Sequence, residues 1–183
     1  MIYIALLRGI NVGGHRVKMD RLQGIFAELG CKNVSSYIQS GNIFFESERT
    51  DRDVLTQEIE QHLFEQLHFE VPTFLRTIAE IEELIAANPF VDATASEDKR
   101  LCVLFTSELI PDTLGLPMRS IKNDVEIIKT TRFEAFMVWH LINGKAPSNQ
   151  SLNLLGYKTT IRFLHTLVKI LEAVRKYAAL KRV

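Results

Sequence analysis

The sequence predicts an α+β fold made of two ferredoxin-like halves of the β-α-β-β-α-β type, the second incomplete. Three observations carry this. Short β-rich runs and amphipathic helical stretches follow one another in that order over residues 1–78. A small, polar segment at residues 91–99 then interrupts the pattern, and a similar order resumes at residue 100. The chain has 183 residues, 46% hydrophobic and 24% charged, which is enough apolar side chain for one large core or two small ones.

Residues 1–7 are apolar and read as a buried strand, and residues 8–18, with Gly9, Gly13 and Gly14, read as a loop. Met19, Leu22, Ile25, Phe26 and Leu29 recur at helical spacing, with Gly30 at the end. Residues 34–39 and 42–46 form a hairpin signal about Ser40-Gly41. Thr50, with Asp53 three residues on, is the expected cap of a second helix whose buried stripe is Leu55, Ile59, Leu63 and Leu67. Residues 69–76 supply a fourth strand. Thr77 and Glu80 form a capping box for a connecting helix over 78–87, ended by Asn88-Pro89. The expected organisation is therefore a first domain at 1–78, a connecting helix and linker at 79–99, and a second domain at 100–183.

In the second half, residues 101–106 are a strand, Pro111 opens a short helical or turn segment, and residues 125–129 and 134–142 form a hairpin. Residues 146–156 read as an irregular loop. Ile161, Leu164, Leu167, Val168, Leu171, Val174 and Ala178 then predict a long terminal helix, so the half reads β-α-β-β-α with no final strand.

Lys plus Arg is 22 and Asp plus Glu is 22, so bulk charge suggests neither a nucleic-acid nor a membrane-surface protein. The distribution is uneven, however. Residues 157–183 hold 7 basic and 1 acidic side chains, and Arg162, His165, Lys169, Glu172 and Lys176 fall on one predicted helical stripe. Arg8, Arg16, Lys18 and Arg21 surround the glycine loop. No apolar run approaches the roughly 20 residues of a membrane span, and no cleavage-site pattern follows the first strand, so the expectation is a cytoplasmic protein with no membrane partner. Cys31 and Cys102 are distant from each other and outside any metal-ligand spacing, so they are expected to be reduced core thiols. The five histidines show no i, i+4 pair, and no metal site is predicted.

The stretch Leu6-Leu7-Arg8-Gly9-Ile10-Asn11-Val12-Gly13-Gly14 runs from a strand toward a helix. Glycines there let backbone N–H groups approach an anion, although no Gly-Lys-Ser/Thr follows and the spacing is not GxGxxG. A loop that merely turns the chain would have the same composition. Arg8, directly after an apolar strand, needs either a carboxylate or an anionic ligand. Gln39, Ser40 and Asn42 place amides and a hydroxyl at a strand end, where they can orient a ligand or simply serve the turn. No nucleophile elbow, general acid or general base is visible, so the sequence names no catalytic residue, cofactor or reaction.

The strings LLRGINVGG and YIQSGN, with Met19, Gly30 and Asn88-Pro89-Phe90, resemble the uncharacterised bacterial family called domain of unknown function 1697. The resemblance spans nearly the whole chain and implies two ferredoxin-like α+β halves, with no established activity. The family's C-terminal signature, Thr, any residue, Arg-Asn-Trp, any residue, Thr, then Lys, is similar to residues 160–169. Arg162, Thr166 and Lys169 fit it, whereas Phe163 and Leu164 replace the Asn and Trp.

The leading functional expectation is a small anionic ligand, bearing phosphate or carboxylate, held by Arg8, Asn11, Gly13 and Gly14 with Gln39, Ser40 and Asn42 alongside. Arg162, Thr166 and Lys169 would complete the site if the last helix folds back over the first domain. An enzyme acting on such a ligand is a close relative of this reading. One alternative is single-stranded nucleic acid stacked on Tyr3, Phe44 or Tyr37 across an open sheet, although the RRM signature is absent. Another is a protein-interaction module without small-molecule chemistry. The sequence indicates no oligomeric state.

Overall fold

The computed structural model describes residues 1–38, 40–87, 89–90 and 96–180. Gln39, Asn88, most of the expected linker (91–95), Lys181 and Arg182 lie outside the described residues. The protein is an α+β molecule with two antiparallel sheets and five helices among the described residues. It divides into two compact units, Met1–Glu83 with Val168–Val183, and Leu84–Leu167. The terminal helix from Val168 thus groups with the first unit, whereas the sequence pattern assigned it to the second.

In the first unit, β1 (Ile2–Leu7), α1 (Met19–Glu28), β2 (Lys32–Ser36), β3 (Asn42–Glu46), α2 (Arg52–Leu67) and β4 (Thr73–Thr77) follow the expected β-α-β-β-α-β order. The strands lie β2-β3-β1-β4, all pairs antiparallel. Because side chains alternate across a strand, Tyr3, Ala5 and Leu7 join Ile43, Phe45 and Leu75 on one face. There they are buried together with Leu22, Ile25 and Phe26 of α1 and Leu55, Ile59 and Leu63 of α2. On the opposite face of β3, Phe44 meets the Tyr177 ring edge-on at 6.2 Å, and the Tyr177 hydroxyl donates to Glu46 at 3.2 Å. Tyr177 belongs to α5 (Leu164–Leu180), which buries Ile170, Leu171 and Val174. The Arg175 guanidinium bonds Glu82 at 2.7 and 2.9 Å.

Local signals hold where both partners are close in sequence. Thr77 N–H donates to Glu80 Oε2 at 2.7 Å and Glu80 N–H to Thr77 Oγ1 at 3.3 Å, the expected reciprocal box at α3 (Ile78–Ala86). The α2 cap is a correction, being Asp51 rather than Thr50. Its carboxylate accepts from the N–H groups of Asp53 and Val54, each at 3.1 Å, and as an anion it also suits the positive helix start. The fourth strand begins at Thr73, not at residue 69, since Pro72 cannot donate to the ladder.

The second unit contains β5 (Lys99–Thr106), β6 (Met118–Arg119), β7 (Val125–Thr130), β8 (Glu134–His140), α4 (Asn149–Leu152) and β9 (Thr159–Phe163), ordered β6-β7-β8-β5-β9. The segment after Pro111 takes the turn form of the two expected, closed by Leu114 N–H on Pro111 O at 3.2 Å, and is followed by the unpredicted β6. Two expectations are corrected. The loop at 146–156 contains α4, capped by the Ser148 hydroxyl. Residues 159–163 are a strand, not the start of the terminal helix, so the final strand is present. They pair with β5, from Cys102 with Phe163 to Thr106 with Thr159. Ile161 happens to stand at helical spacing from Leu164, which is why periodicity alone extended the helix too far. The helical stripe changes accordingly: Val168 is exposed and Ile170 buried, and Arg162 lies on β9 rather than in line with Lys169 and Lys176.

The core of this unit joins Cys102, Leu104, Val125, Ile127, Ala135 and Met137 on one sheet face. A buried polar network pins α4 to β7's entry. Asp124 accepts from the Ser120 hydroxyl at 2.6 Å and from the Ser151 hydroxyl at 3.0 Å. Burial pushes the Asp124 carboxyl up, but these bonds outweigh it and hold the group below its ordinary value. A depressed folded value gives stability that is present above the unfolded carboxyl range and lost as pH falls through the folded one. Acid titration of stability is therefore expected to show a loss beginning below about pH 4 that is smaller in Asp124→Asn. An identical profile in that variant would remove Asp124 from the account.

Candidate functional site

The loop at residues 8–18 and the turn residues Ser40 and Gly41 meet at one end of the first unit's sheet. Leu7 N–H donates to Gly41 O at 2.8 Å, and Arg8 N–H to Pro72 O at 2.9 Å. A Cβ on Gly41 would lie 3.1 Å from Leu7 Cβ and 3.2 Å from Ile10 Cβ, so the turn sits directly on the root of the loop, with a left-handed φ of 69°. Loop residues Asn11, Gly13 and Gly14 also have left-handed backbones (φ 58°, 62° and 93°). A Cβ at Gly13 or Gly14 would meet nothing within 4 Å, so the space before them is open.

The polar side chains of this region divide into two groups. Asn11 Oδ1 accepts from Val17 N–H at 2.9 Å and closes the loop on itself. Asn42, fully buried, donates to Tyr37 O at 3.2 Å and Ser40 Oγ at 2.8 Å, so it holds the turn. Both therefore shape the backbone, as the turn alternative anticipated. Ile38, a β-branched residue at φ 50°, is 52% exposed in the same turn. The cations are the other group. Arg8, Arg16 and Lys18 are exposed, and among the described residues none makes an ion pair. Arg21 differs, pairing with Glu28 at 3.2 Å and donating to Gln66. The His15 ring stacks on Phe69 with centroids 3.9 Å apart and planes at 24°.

Arg162 and Thr166 fall in the second unit and Lys169 in the first. Arg162 is 9% exposed and donates to Thr160 Oγ1 at 2.8 Å and Ile161 O at 3.0 Å. Burial pulls its guanidinium down to about 10, which still leaves it charged at neutral pH. Thr166 is half-buried and Lys169 exposed. Both cysteines are free and buried, and burial pushes the Cys31 thiol up to about 11, so neither offers a thiolate near neutrality. Among the described residues no three His, Cys, Asp or Glu side chains cluster as a metal site, and no helix is long and apolar enough to cross a membrane.

Sequence reasoning missed a polar recess of about 170 Å³ in the second unit, lined by Arg119, Asn123, Glu126 and His140. Glu126 Oε1 accepts from Arg119 Nε and Nη2 at 3.1 and 2.9 Å, while Oε2 stands 3.6 Å from His140 Nε2. The signal is the pairing of Arg119 with Glu126, which is visible only once β6 is known.

A family model described as protein of unknown function, DUF1697, matches residues 1–136. The chain belongs to this family. The DUF1697 match includes the glycine loop and the 37–42 turn and ends before Arg162, Thr166 and Lys169. A solved structure of a conserved bacterial protein from Streptococcus pneumoniae is similar, with 24% identity over 95% of this chain and 98% of that one and a TM-score of 0.68, which is a likeness of fold. No curated protein matches.

Proposed function

We propose that this DUF1697 member binds a small anionic ligand, carrying phosphate or carboxylate, at the loop of residues 8–18. The observation that supports it is the set of exposed cations without ion pairs, Arg8, Arg16 and Lys18, around a glycine backbone with open space before it. A guanidinium can bind such an anion through two parallel hydrogen bonds, and the backbone N–H groups of Gly13 and Gly14 add directional donors. Asn11, Ser40 and Asn42 hold the loop and turn in shape rather than reach for the ligand. The reading of single-stranded nucleic acid across the sheet is less favoured, because Tyr3 and Phe44 are 1% and 2% exposed, which leaves half-buried Tyr37 alone of the three rings. A base needs a bare ring face.

Orthophosphate titration by calorimetry or NMR tests this. Arg8→Ala and Arg16→Ala are each expected to weaken binding by up to about 5-fold, the scale of one exposed charge contact. Added salt should weaken binding to the wild-type chain. Binding unchanged in both variants would overturn the proposal.

A further inference from the structure

We infer that the ligand of this loop is a nucleotide, its phosphate among the cations and its base laid on the ring of His15; this rests on the anion-binding reading above. The second observation is independent of charge. His15 is an exposed residue with one ring face fixed on Phe69 at 3.9 Å, so the opposite face is left toward solvent as a flat, pre-oriented surface. Its backbone is held too, since His15 N–H closes a turn on Val12 O at 3.2 Å. A ring already immobilised loses little further freedom when it stacks on a second planar group.

The platform and the cations are anchored on the same short segment. Arg8 is bonded through its N–H to Pro72, and His15 lies on Phe69 three residues earlier. Three residues of extended chain reach at most about 10 Å, so the anchor points of the first cation and of the stacking ring are close together. A ligand touching both needs an anionic group and an aromatic face separated by a short linker, which is the chemistry of a nucleoside phosphate.

The test compares orthophosphate, adenosine and adenosine monophosphate as probes of the full-length chain. Adenosine monophosphate is expected to bind at least about 5-fold tighter than orthophosphate, the lower end of what one base stack contributes. His15→Ala should bring it back to the orthophosphate level while leaving orthophosphate itself unaffected, and His15→Phe should restore the difference. Arg8→Ala should weaken both phosphates. Equal affinity for the two phosphates, or no response to His15→Ala, would overturn the nucleotide assignment and leave the anion site standing. Failure of both phosphates to bind would overturn the anion site as well.

Discussion

Replacing Phe45 with Ala is expected to lower stability by about 3–5 kcal/mol, the usual cost of removing a fully buried aromatic ring. Phe45 is 0% exposed on β3, 5.8 Å from the Tyr3 ring and 5.3 Å from the Phe26 ring. It therefore joins the β1 neighbour on the sheet to α1. Truncation removes the transfer free energy of the ring and leaves a void that β-sheet and helix backbones cannot close. Urea unfolding should show an earlier midpoint with a similar slope. Phe64→Ala, at a ring 48% exposed on α2, is the control and should stay within about 0.5 kcal/mol. Equal losses at the two positions would contradict the placement of the core.

Gly41→Ala is expected to cost about 2–4 kcal/mol, the sum of a left-handed backbone and a steric overlap. The new methyl would press on Leu7 Cβ at 3.1 Å, Ile10 Cβ at 3.2 Å and the Leu7 carbonyl at 3.2 Å. None of these can swing away, since Leu7 and Ile10 are buried and the carbonyl is backbone. Gly144→Ala separates the two contributions. That residue has a similar φ of 73° but open space around it, so only the backbone cost of about 1 kcal/mol remains. The same pressure on residues 7 and 10 would displace the loop they lead into, so Gly41→Ala should also weaken orthophosphate binding. A loss no greater than that of Gly144→Ala, by chemical denaturation of both variants, would mean that turn and loop are not in contact.

The first unit was legible because its determinants are local. The Thr77-Glu80 box, the stripe Leu55, Ile59 and Leu63 and the β1 run each lie within a few residues of their partners. The second unit depends on pairing across long separations. Residues 159–163 become a strand because β5 offers a free edge, an event some 60 residues away that no window around Ile161 contains. β6 is invisible for a related reason, since a two-residue strand leaves no periodic trace.

The candidate site shows the same division. Glycines and cations at residues 8–18 were visible as composition, and the structure keeps Arg8, Arg16 and Lys18 exposed. The amides carry no such signal, because whether Asn11 and Asn42 face a ligand or their own backbone is decided by the closed geometry of the loop. His15 was not singled out, since its significance comes from Phe69, more than 50 residues later.

The most direct test of the account is an orthophosphate titration followed by backbone amide NMR. The expected result is progressive, saturable shifts at the amides of Gly13 and Gly14, displaced to higher phosphate concentration in Arg8→Ala, with Gly144 and Gly156 of the second unit unmoved. Shifts confined to the second unit, or none at Gly13 and Gly14 at saturating phosphate, would contradict it.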